Sequence, residues 1–240
     1  MLVILIPYRD REAQKDIFIP HMKRFLDNKG IHYKIIICEQ SDDDRPFNRG
    51  AIRNIAFIEA VKILNQSQDT TTYCFHDVDF IPISEECIYT LQDRNSVYHP
   101  YGVHTCVGGM LFLTEKAIQD SNGYPNNYWG WGLEDVCMMA RLQVTGYTID
   151  RTNFEILGDD KLFKKINGPE NTRIWPNTNI DVIKALYYDE VENRDNRLLN
   201  GVANIKYEVL SEQHHPEDNV VHIIVKIDMP YDPEARMLKP

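Results

Sequence analysis

Apolar and polar positions along this chain fall into two rhythms, and their order is informative. Residues 2–6 form an unbroken apolar run, as expected for a strand covered on both faces. From about residue 13 to 28, Ile17, Phe18, His21, Met22, Phe25 and Leu26 recur at helical spacing, and Asn28-Lys29-Gly30 marks the end of that helix. Residues 33–38 read as a second buried strand. Strand, helix, strand is a βαβ unit, which predicts a parallel, right-handed crossover and a nucleotide-sized crevice at the strand ends.

The rhythm continues beyond a polar loop at residues 41–46. Ile52, Ile55, Ala56, Ile58, Ala60, Val61 and Leu64 predict a helix over 48–64. Residues 73–76 form a short aromatic strand that ends at Asp77-Val78-Asp79, and residues 80–83 continue as extended chain. A further helix starts at Glu134-Asp135, with Val136, Met139, Ala140 and Val144 on one face. Residues 204–210 and 220–228 read as antiparallel strands joined by 211–219, whereas 153–179 lack periodicity and read as a long functional loop. The expectation is an α/β fold with a mixed, mostly parallel central sheet flanked by helices. Residues 1–240 would most simply form one domain.

Composition narrows the function. A net charge of -10, from 36 acidic and 26 basic residues, argues against a general nucleic-acid or anionic-membrane binder, although a local basic pocket for a small phosphate stays open. Five scattered cysteines without zinc spacing read as reduced thiols. The apolar start is too short for a signal peptide or an integral membrane segment. The expected setting is cytoplasmic or another reducing compartment, or else that of a catalytic domain whose anchor lies outside this sequence.

Several segments carry candidate chemistry. Asp77 and Asp79 point to the same side of an extended chain and suit a divalent cation held against a diphosphate. A solvated turn is the plainer account. Arg9 and Arg11 follow the first strand, where guanidiniums suit phosphates, unless they pair with Asp10 or Glu12. Phe47-Asn48-Arg49-Gly50 opens the second helix, either as a base and ribose contact or as a hydrophobic staple and N-cap. Glu134 and Asp135 are favoured by the macrodipole in a first helical turn, so capping alone would account for them. The preceding Trp129-Gly130-Trp131-Gly132 points elsewhere: aromatics among glycines make a platform for a sugar face, and an ionised Asp135 beside a sugar is a candidate base.

These segments resemble the β-1,4-galactosyltransferase family of inverting glycosyltransferases. The likeness runs through Ile6-Pro7-Tyr8-Arg9-Asp10-Arg11, Phe47-Asn48-Arg49-Gly50, Phe75-His76-Asp77-Val78-Asp79, Gly108-Gly109 and the run from Gly123 through Trp131 to Asp135. It implies a GT-A type nucleotide-diphosphosugar transferase fold with UDP held by Pro7, Tyr8, Arg9, Arg11, Phe47, Arg49, Asp77 and Val78, and with Cys106, Gly108 and Gly109 on the donor sugar side. It further implies Asp79 as the ligand of Mn2+ or Mg2+, Trp131 between donor and acceptor sugars, Glu134 positioning hydroxyls and Asp135 as base. The resemblance implies a single catalytic domain over residues 1–240, with 1–100 its nucleotide-binding half and 101–240 its acceptor and catalytic half, and the expected activity is transfer of galactose or N-acetylgalactosamine from UDP-Gal or UDP-GalNAc to a glycan acceptor, forming a β-1,4 linkage; an inactive UDP-sugar or glycan binding module is the alternative.

Two departures from the family pattern bear on this. The family's metal is completed by a downstream histidine, but residues 153–165 contain none. Asp159 or Asp160 would replace it as an oxygen ligand, or Lys161, Lys164 or Lys165 would supply an ammonium in place of the metal. Where galactose-specific members carry an aromatic side chain that crowds the second carbon of the sugar, this chain has Cys106, which leaves room for an N-acetyl group.

Overall fold

The computed structural model describes residues 1–65, 70–130, 132–166, 184–185, 187–190, 193 and 195–231. All seven residues of β1 (Leu2–Tyr8) are buried. α1 (Glu12–Asn28) returns the chain to β2 (Tyr33–Gln40), which pairs in parallel with β1 from Leu2 opposite Tyr33 to Tyr8 opposite Glu39. The helix buries Phe18, Met22, Phe25 and Leu26 but leaves Ile17 outside, 46% exposed, so its apolar stripe is narrower than the spacing predicts. α2 (Arg49–Leu64) and β3 (Thr72–His76) follow, with β3 parallel to β1 on its other side. Side chains alternate along β1: Val3 and Leu5 pack in one core with Ile52 and Ile55 of α2, while Leu2, Ile4 and Ile6 pack in another with Phe18 and Met22 of α1. The sheet is therefore doubly wound around β1.

The remaining elements are β4 (Phe80–Pro82), β5 (Ser96–Gly102), β6 (Met110–Thr114), α3 (Glu115–Ser121), α4 (Glu134–Val144), β7 (Thr148–Asp150), β8 (Glu155–Ile156), β9 (Phe163–Lys165), a short helix Asn196–Leu199, β10 (Tyr207–His215) and β11 (Val220–Ile227). Among the described residues the main sheet has nine strands, ordered β10-β11-β2-β1-β3-β6-β5-β7 with β8 beside β5. β6 runs antiparallel to β3 and to β5, and β10 antiparallel to β11, while the other pairings in this sheet are parallel. The sheet is mixed and mostly parallel, as expected.

Three expectations need correction. β10 runs on to His215 instead of ending at residue 210, because its residues are largely solvent-exposed and polar letters there do not signal a turn. α4 buries Glu134, Asp135, Cys137, Met138, Arg141 and Leu142, while Val144 is 45% exposed; the buried face is set by its charged first turn and by Arg141, whose guanidinium donates to the carbonyls of Gly123 and Asn200. The stretch expected to be a long loop contains β8 and β9, and its continuation over 167–179 lies outside the described residues. No helix among the described residues is long and apolar enough to cross a membrane. All five cysteines are free thiols.

Candidate active site

The carboxyl ends of parallel strands are where doubly wound sheets bind ligands. Here β3 ends at His76 and delivers Asp77 to that edge. Beside it, α2 begins at Arg49, with the Asn48 side chain accepting from the Ala51 N–H at 3.0 Å as N-cap. α4 begins at Glu134 and brings its first turn to the same place. Residues about 85 apart in sequence thus meet: Arg49 Nε donates to Glu134 Oε1 at 2.7 Å.

The result is a closed charge network. Arg49 Nη2 pairs with Glu134 Oε1 and lies 2.6 Å from Asp135 Oδ2, and its Nη1 lies 3.3 Å from Asp77 Oδ2. Arg53, one turn along α2, donates to Asp77 Oδ1 at 2.8 Å and pairs with Asp135 Oδ1. Glu134 and Asp135 are buried. Burial alone would raise the Asp135 carboxyl, but the Arg49 and Arg53 guanidiniums outweigh it and hold the group below the usual carboxylate range. Capping is not their task, since the N-cap Leu133 sits at φ 62 without a side-chain cap and both carboxylates turn to the arginines instead.

A glycine turn packs against this network on one side. A Cβ on Gly108 would stand 2.5 Å from Asp135 Oδ2, and one on Gly109, at φ +93, would stand 2.6 Å from the Tyr101 carbonyl. The turn is held by His99 Nε2, 2.9 Å from the Gly108 carbonyl, and Arg151 donates to the Cys106 carbonyl at 3.1 Å. Cys106 accepts from the Gly108 N–H at 3.4 Å. Its thiol is pushed up chiefly by burial, and Asp135 adds to the effect, so it is a thiol near the carboxylates and not a thiolate.

The other expected residues are distributed unevenly. Pro7 and Tyr8 end β1, and the Tyr8 hydroxyl donates to Glu12 Oε2 at 2.9 Å. Arg9 is buried instead of protruding: its Nη1 donates to the Arg45 carbonyl at 2.8 Å, while its Nη2 is enclosed without a hydrogen-bond partner, 3.8 Å from Asp42. Arg11 is half-buried, with its Nη1 enclosed and lacking a hydrogen-bond partner. Phe47 is half-buried against the core, Val78 is buried, and the Phe47 carbonyl accepts from the Gly130 N–H at 2.9 Å. Trp131 lies outside the described residues. Trp129 does not join a sugar platform: it is buried, its Nε1 donates to the Pro230 carbonyl at 2.9 Å, and Arg45 stacks on it 4.6 Å from the ring centroid.

Asp79 follows the strand as expected, and β9 comes to it. Lys165 pairs across β4 with Phe80, and the Ile166 N–H donates to the Asp79 carbonyl at 2.7 Å. Burial and the neighbouring Asp77 push the Asp79 carboxyl up, while Lys165 and Arg11 draw it down. Lys164 and Lys165 are exposed on β9, and Asp159 and Asp160 are exposed in the loop before it, with Lys161 3.6 Å from Asp159. Among the described residues no three His, Cys, Asp or Glu side chains cluster to hold a metal. One carboxylate beside a diphosphate still fits Mg2+ or Mn2+, which take their remaining ligands from phosphate and water.

Buried amides join these elements. Asn54 Nδ2 donates to the Tyr124 carbonyl at 2.7 Å and to Asn126 Oδ1 at 2.8 Å, and its Oδ1 accepts from the Tyr124 N–H at 2.9 Å. Asn48 Nδ2 reaches the Asn126 carbonyl at 2.7 Å. These amides fasten α2 to the segment that leads into α4. Asn48 and Asn126 fall within the Phe47–Gly50 and Gly123–Asp135 segments, although nothing there shows that they meet, whereas Asn54 and Arg53 are single polar letters in an apolar helix.

A doubly wound sheet with two arginines and paired carboxylates at its carboxyl edge fits the GT-A class of nucleotide-diphosphosugar transferases. Comparison with known proteins makes this specific. Residues 1–92 match the N-terminal region of glycosyl transferase group 7, and residues 93–166 match the family described as the N-terminal domain of galactosyltransferase. Xylosylprotein 4-beta-galactosyltransferase of Caenorhabditis elegans is 30% identical over 220 residues, 88% of this chain and 72% of that protein. Human beta-1,4-galactosyltransferase 7 is 34% identical over 175 residues, 70% of this chain and 51% of the relative. The catalytic domain of Drosophila beta1,4galactosyltransferase 7, solved in complex with xylobiose, superposes with a TM-score of 0.76 at 26% identity, covering 98% of this chain and 96% of that one. The chain belongs to the β-1,4-galactosyltransferase family. It spans about half the length of the human and mouse relatives.

Proposed function

We propose that this protein is an inverting, UDP-sugar-dependent hexosyltransferase that moves galactose or N-acetylgalactosamine to a hydroxyl of a glycan acceptor, forming a β-1,4 linkage. The observation that carries the reading is Asp135, kept ionised by two arginines at the carboxyl edge of the sheet. A carboxylate oxygen has two lone pairs, so a guanidinium on Oδ2 leaves one for a hydroxyl proton. Asp135 takes that proton, the acceptor oxygen attacks the anomeric carbon opposite the diphosphate, and the bond to UDP breaks with inversion. Glu134 orients sugar hydroxyls, and Trp131 is assigned the place between donor and acceptor sugars.

The donor lies along residues 1–100, on Pro7, Tyr8, Arg9, Arg11, Phe47, Arg49, Asp77 and Val78. The enclosed, unpartnered Nη1 of Arg11 suits a phosphate oxygen. A divalent cation on Asp79, when bound, would neutralise charge on the departing diphosphate. Lys165 and Arg11 supply fixed positive charge at the same carboxylate, which favours a second reading in which the leaving group is stabilised without metal. At the sugar, Cys106 is smaller than the aromatic that galactose-specific members carry there and would leave room for an N-acetyl group, so UDP-GalNAc is expected to serve at least as well as UDP-Gal. Because the Drosophila relative was solved with xylobiose, a xyloside is the first acceptor to try.

The test is titration of the purified protein with UDP-Gal, UDP-GalNAc, UDP-GlcNAc and UDP-Glc in Mn2+, Mg2+ or chelator, following binding and UDP release with and without a xyloside. UDP release that needs the cation assigns the metal to Asp79, and release that persists in chelator assigns the task to Lys165 and Arg11. Donor binding without turnover leaves a UDP-sugar binding module, and no binding of any donor sinks the enzyme reading.

A further inference from the structure

Arg53 has surroundings unlike those of an ordinary helix arginine. Its side chain is 1% exposed, stacks 4.8 Å from the centroid of the Tyr124 ring and touches two carboxylates from different elements. A guanidinium keeps its charge wherever it is placed, so burying one is costly unless fixed anions surround it. Arg49, by contrast, keeps 23% of its side chain exposed and bridges three carboxylates. One arginine is therefore walled in while its neighbour remains within reach of a ligand.

We infer that Arg53 is a positioning residue for the transfer reaction: it pins Asp135 through Oδ1, leaves Oδ2 to be shared between Arg49 and the acceptor hydroxyl, and ties the base to the Asp77 turn that receives the donor. The inference rests on Asp135 being the base. The groups facing Asp135 are Arg49 and Arg53 from α2, His99 from β5, Cys106 and Gly108 from the turn before β6, and Glu134 from its own helix, with Asp77 sharing both guanidiniums. Arg53 is the one cation of this set that is sealed from solvent, so a substrate anion cannot draw it away. It keeps the carboxylate oriented through the cycle, and ionised until the acceptor proton arrives, whatever Arg49 does when a diphosphate arrives.

The experiment compares Arg53→Met, Arg53→Lys and Asp135→Asn for kcat, donor KM, the pH profile of kcat and the unfolding midpoint. Loss of a charge-assisted hydrogen bond to the base is expected to lower kcat of Arg53→Met about tenfold to a hundredfold, with donor KM changed less than about threefold. With a cation removed, Asp135 binds its proton more readily, so the acid limb of the profile moves up by about one pH unit. Arg53→Lys recovers part of kcat and part of the limb. If Arg53→Met does not fold, the Arg53→Lys variant decides alone on the same readouts. A folded variant with wild-type kcat and an unmoved acid limb overturns the inference, as does a loss confined to donor KM. Full activity in Asp135→Asn would instead overturn the assignment of the base.

Discussion

A single methyl group separates Gly108 from incompatibility with the site. The Cβ of an alanine there would stand 2.5 Å from Asp135 Oδ2, and that oxygen has little freedom because Arg49 and Arg53 hold the carboxylate from both sides. Gly108→Ala should lower kcat more than about tenfold while leaving the unfolding midpoint within a few degrees, since the displaced atom belongs to one side chain. Turnover assays beside a thermal melt decide it, and an unchanged kcat would mean the base does not need this geometry. At this scale the sequence was legible where residue type announces chemistry: Asp77, Arg49, Glu134 and Asp135 were singled out and stand together. Arg53 was not, because an arginine four residues after another on a helix reads as a solvated stripe, and only burial distinguishes the two. Trp129 misled in the opposite direction, since an aromatic between glycines looks the same whether it faces a sugar or fills a core.

Among elements, the seam between α2 and the segment leading into α4 holds the site in register. Gly50 is part of it, since a Cβ there would stand 2.7 Å from the Pro125 carbonyl. Asn54 is buried and joins three groups on the far side. Asn54→Ala strands those partners and should destabilise the fold by about 2–3 kcal/mol in denaturant unfolding, with an additional loss of activity as α4 drifts. A change under about 0.5 kcal/mol would show that the seam is held by packing alone. The periodic elements, β1, α1, β2, α2 and β3, were readable because their apolar positions face a continuous core. β5 was passed over although all seven of its residues are buried: Ser96, His99, Pro100 and Gly102 interrupt the apolar run, and their burial follows from pairing with β6, β7 and β8, which no local window contains.

Across the whole molecule, acid should be the more telling stress. His76 and His99 are buried, and loss of hydration pulls both down to about 4. The unfolded chain binds these protons near pH 6.5 and the folded chain only near 4, so stability falls as the pH drops through that window. Asp135, whose folded value is depressed, adds to the loss at still lower pH. The unfolding midpoint should fall by roughly 10 °C between pH 7 and pH 5, and a flat profile across that range would contradict the neutral, buried state of the two histidines. The doubly wound plan itself was legible from the first βαβ unit. The antiparallel return of β6 was not, since it depends on which strand β3 meets after the chain has left it.

The charge network also bears on how such a chain can be inherited. Two family segments meet between residues 92 and 93, yet Arg49, Arg53 and Asp77 lie on one side of that point and Glu134 and Asp135 on the other. Severed there, the first segment would keep two arginines with one aspartate, and the second would keep two buried carboxylates with neither arginine. Neither piece is a module that recombination could pass to another protein intact. The boundary visible in sequence is a boundary of description, and the unit that evolution can keep or lose is the pair.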